Sequence, residues 1–167
     1  MLKQILSHKN KLLVIALFLF ALFAQVWNLR ADSMVIDETA HITAGYSYLT
    51  QKDYRLNPEH PPLVKVLSAL PLLGTGVMFP VNSALWQGVN EQWGLGYQFI
   101  SEYSNPRRLV TLARIGPTLL TMLFAIIFYF ITRKYYGDRI ALLALFFLTF
   151  SPTILAQGHY VTTDVAA

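Results

Sequence analysis

Cysteine is absent from all 167 residues, which excludes disulfide bridges, thiolate metal sites and a cysteine nucleophile. Charge is scarce: 13% of the residues are Asp, Glu, Lys or Arg, against about 25% in ordinary soluble domains. With 54% apolar residues and a mean hydropathy of +0.44, the composition is that of a membrane protein. The net charge is +4, but the basic residues are scattered and flank apolar runs, so they form no nucleic-acid-binding stripe. There is no HExxH, and His41, His60 and His159 lie far apart in sequence, which argues against a zinc site. No P-loop, GxSxG or GxGxxG occurs in a fitting context, and there is no internal repeat or low-complexity tract.

What is present is organised by three apolar runs. Residues 12–29 carry no charge and come close to the roughly 20 residues that a helix needs to cross a bilayer. Lys3, Lys9 and Lys11 precede them and no small-x-small cleavage site follows, so this run reads as an anchor whose N-terminal end is cytoplasmic. Residues 109–131, carrying Arg114 and Pro117, and residues 140–158 read as two further spans. The short basic loop between them belongs on the same side as the N-terminus. A further helix is expected to begin near Thr163 and Asp164, and the chain reads as the N-terminal part of a larger all-α polytopic protein.

Residues 32–108 then lie outside and hold seven of the nine acidic residues. From Asp37, one helical face carries His41, Ala44, Gly45 and Tyr48, and another carries Ile42, Tyr46 and Leu49. After Pro61 and Pro62, the residues Leu63, Val66, Leu67 and Leu70 repeat at helical spacing. Both segments are expected to be short amphipathic helices on the membrane surface. Residues 80–106 show no periodicity and read as an ordered loop.

Asp37 and Glu38 have two readings. Carboxylates at a helix start cap free N–H groups and complement the helix dipole. Alternatively, Asp37 is a general base for a hydroxyl, oriented by His41 one turn later, with Glu38 rotated about 100° away. Lys65 is expected at headgroup depth, where a cation can hold and stabilise a lipid phosphate. Arg114 either snorkels to the surface or belongs to a functional site. Asp164 is a second acidic candidate or an N-cap. Mg²⁺ or Mn²⁺ between Asp37 and Glu38 stays open, because oxygen-ligand sites have no fixed spacing. The rival classes are a polytopic transporter or lipid-handling protein and a membrane scaffold.

The combination of Asp37, Glu38, His41, Gly45, Tyr46 and Tyr48 with Asn57, Glu59, His60, Pro61, Pro62 and Lys65, then Arg114 and finally Thr163 and Asp164, resembles a known family. It is that of the polyprenyl-phosphate-dependent glycosyltransferases of the GT-C superfamily, in particular the group containing protein O-mannosyltransferases and the lipid A aminoarabinose transferase. The resemblance implies two juxtamembrane helices over a cavity. It implies a sugar moved from a polyprenyl-phosphate donor, with inversion, to a protein, lipid or glycan hydroxyl. Asp37 would be the base and Glu38 its neighbour, Lys65 would lie near the carrier phosphate, and Arg114 would support the site. His41, His60, Lys65, Arg114 and Asp164 are the candidate substrate-binding side chains. The partners expected are the lipid-linked donor, the acceptor and membrane lipids, without nucleic acid. No Asn-x-Ser/Thr stands in the outer segment, which points to a bacterial plasma membrane.

Overall fold

The computed structural model describes residues 8–163, in which all the regular secondary structure is helical and there are no strands. Helix α1 (His8–Ala31) is apolar on almost all sides, with a mean hydropathy of 2.3 over Lys9–Ala31. Its inward stripe is Ala21, Gln25 and Leu29, spaced four apart, while Leu19, Phe23 and Trp27 are exposed. A second apolar stretch, Pro106–Tyr136, also meets the length and hydropathy of a membrane span.

That stretch is not one straight helix. It divides into α6 (Pro106–Ala113) and α7 (Ile115–Tyr136), meeting at Arg114. Pro117 explains the division: it has no N–H to give the carbonyl four residues back, at Ala113, and its ring crowds that carbonyl. Helix α7 then turns through Gly137 into α8 (Asp138–Thr149), so most of the expected basic loop is helical; Arg133 and Asp138 pair across the turn at 2.6 Å. Residues 140–158 are likewise not continuous. Helix α8 ends before Ser151, and Pro152 starts the short α9 (Pro152–Gln157). Gln25 and Asn28 on α1 donate to the carbonyls of Ile154 and Leu155 at 2.8 and 3.0 Å, holding α9 against α1.

The segment between the spans folds around α2 (Ile36–Thr50). Against it pack α3 (Pro62–Ala69), a 3-10 turn at Leu70–Gly74 and α5 (Gln92–Ser101), with α6 laid on that turn, α3 and α5, and the four-residue α4 (Ala84–Gln87) beside α5. The core contains Ile42, Tyr46, Tyr48, Leu72, Leu95, Phe99 and Leu109. The expectation of an amphipathic helix lying on a surface fails for α2, because every residue from Glu38 to Tyr48 is buried. Two glycines make this closeness attainable. A Cβ on Gly45 would overlap the Lys65 carbonyl of α3, and one on Gly96 would overlap the Thr39 carbonyl of α2. Gly96 also belongs to a helix where the sequence suggested a loop; α5 is supported by this contact more than by its own periodicity.

Candidate active site

Helix α2 begins after extended Val35, and its first turn separates two adjacent acids completely. Asp37 points outward, is exposed, and makes no hydrogen bond or ion pair among the described residues. Glu38 is fully buried. One of its oxygens accepts from Arg114 Nε at 2.8 Å and from the Val161 N–H at 3.2 Å; the other accepts from Arg114 Nη2 at 2.7 Å and from the Val35 N–H at 3.0 Å. The capping reading therefore holds for Glu38, which closes on Val35, but the same carboxylate also carries a buried ion pair. With four donors on its two oxygens it has no lone pair left for a cation shared with Asp37.

Arg114 neither snorkels nor presents a free charge. Besides the two contacts with Glu38, it donates to the carbonyls of Leu29, Asp32 and Ser33 at 3.2, 2.9 and 2.9 Å, so all five N–H groups are engaged. Its position at the α6–α7 break lets the guanidinium reach the unpaired carbonyls at the C-terminal end of α1. The Tyr160 ring faces it at 5.0 Å.

His41 does not orient Asp37 through a hydrogen bond. Its Nδ1 lies 2.9 Å from the Val161 carbonyl, which can only accept, so Nδ1 carries the proton. Burial holds its pKa below the ordinary histidine value, with Lys65 and His60 acting the same way and Val161 and Asp37 opposing. The imidazole is thus neutral near pH 7, with Nε2 unprotonated. The exposed His60 ring meets it edge-on, with 5.1 Å between centroids.

Lys65 is not at a headgroup surface. It is completely buried, and its Nζ donates to the carbonyls of Asn57 and His60, the latter at 2.8 Å, and to the Tyr48 hydroxyl at 3.3 Å. Burial pushes its pKa down to about 8. Asn57 adopts a left-handed backbone (φ 59°) that turns its carbonyl inward, and its side chain joins Glu59 and Gln92 at 3.1 and 2.6 Å. Glu59 therefore ties the turn to α5 instead of capping α3, and the Gln92 hydrogen bond is the largest cause lowering its pKa.

Three residues in the site give little signal in the sequence. Asp32 lies 3.2 Å from both the Tyr160 hydroxyl and Nε2 of His159, and His159 is fully buried with a pKa lowered chiefly by that burial. His159 stood out only as a histidine too distant to share a metal. Asp164 lies outside the described residues. Arg114 contributes to a cleft of about 410 Å³ at the end of α1, which neither Asp37 nor Lys65 lines. Around α2, then, Asp37, Glu38, His41, His60, Lys65 and Arg114 are gathered, and of these six only Asp37 and His60 are exposed.

A family model described as dolichyl-phosphate-mannose-protein mannosyltransferase matches residues 15–167. The chain belongs to that family. No curated protein and no solved structure matches it. Members of the protein mannosyltransferase family are membrane glycosyltransferases of the GT-C superfamily supplied by a polyprenyl-phosphate sugar, and the two apolar helices make this chain an integral membrane protein of that kind. The match spans the whole of α2 and the Val161 segment pinned to it.

Proposed function

We propose that this chain carries the proton-accepting side of a sugar transfer from a polyprenyl-phosphate donor to a hydroxyl, with Asp37 as the general base. The observation that carries the proposal is the division between the two acids: Glu38 is saturated by Arg114, Val35 and Val161, while Asp37, on the same rigid first turn, is exposed and unpaired among the described residues. In the proposed step Asp37 takes the acceptor proton as the acceptor oxygen bonds to the anomeric carbon from the face opposite the phosphate. The bond from that carbon to the phosphate oxygen breaks, polyprenyl phosphate leaves with the electron pair, and the configuration inverts. A single displacement needs one base, not the carboxyl pair of a retaining hydrolase.

The family name points to mannose as the sugar and a protein hydroxyl as the acceptor. In this proposal Lys65 does not touch the phosphate. It holds the carbonyls of Asn57 and His60, and so presents the His60 imidazole beside His41. The N-terminus is cytoplasmic and the site faces the opposite side of a bacterial plasma membrane. The test is sugar transfer by the full-length protein in nanodiscs. Asp37→Asn should lower turnover by about 10²–10⁴ without lowering the unfolding midpoint. Undiminished turnover in a folded variant would remove Asp37 from the role.

A further inference from the structure

The cleft beside Arg114 is separate from Asp37 and has an amphiphilic lining. Its walls include Leu29, Met34, Ile100 and Val110, and two arginines, Arg30 and Arg107, stand on its rim. Arg114 contributes to the lining but has no free donor. Arg107 uses one donor, on the Arg30 carbonyl at 2.8 Å, and the Arg30 guanidinium has no partner among the described residues. Both side chains are exposed. The one carboxylate in the lining, Asp32, lies against Tyr160 and His159.

The position of this cleft matters as much as its charge. It opens where α1 ends and α6 begins, at the apolar–polar boundary of both candidate spans. Below Arg30 on the same face of α1 run Trp27, Phe23 and Leu19, which are 64, 64 and 61% exposed. The Phe23 and Trp27 rings lie 6.2 Å apart, forming an aromatic track one to two turns deep. Two guanidiniums with free donors above an apolar track match a phosphate above acyl chains.

The geometry points to a binding site for an anionic phospholipid of the surrounding bilayer, its phosphate held between Arg30 and Arg107 and its acyl chains lying on Trp27, Phe23 and Leu19. This rests on the chain spanning a membrane and not on the identity of the reaction. The site would fix the depth and tilt of α1, and with them the Arg114 guanidinium, which donates to the carbonyls of Leu29, Asp32 and Ser33.

The test uses the full-length protein in nanodiscs containing phosphatidylglycerol or phosphatidylcholine brominated in the acyl chain, read as quenching of tryptophan emission. Trp27→Phe serves as the blank that isolates the Trp27 signal. Each arginine at an anionic surface contributes about fivefold, so phosphatidylglycerol should be preferred by roughly 25-fold over phosphatidylcholine. Arg30→Gln with Arg107→Gln should abolish the preference while the helical circular dichroism is retained, and Arg30→Lys with Arg107→Lys should preserve most of it. Equal quenching by both lipids, or a preference unaffected by the glutamine pair, would overturn the inference. So would a Trp27 signal insensitive to either lipid, which would mean that another helix covers the track. Recovery of emission on adding polyprenyl phosphate would assign the cleft to the donor and overturn it as well. No sugar transfer is read in this assay, so its failure is distinguishable from failure of the Asp37 assignment.

Discussion

Arg114 and Glu38, 76 residues apart in sequence, meet through two contacts of 2.8 and 2.7 Å with both side chains shut off from water. The pair joins the end of α1, the start of α2 and the α6–α7 break in one place. Removing one partner of a buried ion pair costs about 3–5 kcal/mol, because the other charge is left without compensation. Glu38→Gln and Arg114→Leu should each lower unfolding stability by that order. The double variant should lose much less than their sum, read as a coupling energy in a double-mutant cycle. Arg114→Lys should rescue little, since three donors cannot replace five in a fixed fork.

Asp37 makes the contrast within the same turn. Its exposed side chain has no partner among the described residues, so Asp37→Asn should change stability by no more than about 0.5 kcal/mol. Chemical denaturation of the Asp37 and Glu38 variants side by side checks this, and equal losses would contradict the division of roles.

Lys65 offers a test of accessibility against reactivity. A pKa of about 8 makes an amine more nucleophilic at mildly alkaline pH, but complete burial and three acceptors keep reagent away. Amine labelling followed by mass spectrometry should modify the exposed Lys52 rapidly and Lys65 only on unfolding. Fast labelling of Lys65 in folded protein would contradict its enclosure.

Two buried imidazoles give the pH dependence its sign. His41 and His159 both have pKa values held below 6.5 in the folded chain, mainly by burial. As pH falls through 6.5 the unfolded chain gains protons first, so stability drops, and the loss ends only below the folded pKa values. Each contributes a slope of at most about 1.4 kcal/mol per pH unit. The unfolding midpoint should therefore fall on acidification from pH 6.5, and His41→Gln should remove part of that slope.

Helix contacts made through glycine set the last expectation. Gly45→Ala and Gly96→Ala place a methyl group against a carbonyl of the neighbouring helix, where backbone must shift. Overpacking of this kind costs about 1–3 kcal/mol, more than the gain in helix propensity of about 1 kcal/mol returns. Thermal unfolding of the two alanine variants measures the difference.

The parts of this architecture that depend on local composition were legible in the sequence. The apolar run of α1, the span containing Arg114 and the helices starting near Asp37 and Pro62 all follow from hydropathy, periodicity and proline placement. The parts set by distant contacts were not. Spacing could not show which acid Arg114 would choose, and geometry within α2 alone turned Glu38 away from the polar face, toward its actual partner. Gly94 and Gly96 concealed α5, because both weaken an isolated helix, and at Gly96 the approach to α2 requires such a residue. Lys65 reads as a surface cation until the left-handed Asn57 backbone brings a carbonyl inward to meet it.

The strip at His159–Thr163 reaches α2 through both main-chain groups of Val161, its N–H on Glu38 and its carbonyl on His41. Such a tether is blind to side-chain identity. Nineteen of the twenty amino acids supply both groups, and proline alone withholds the N–H. The two hydrogen bonds therefore leave position 161 open to any residue but proline, and what restricts it is its fully buried place in the helical core, which admits an apolar side chain close to valine in size.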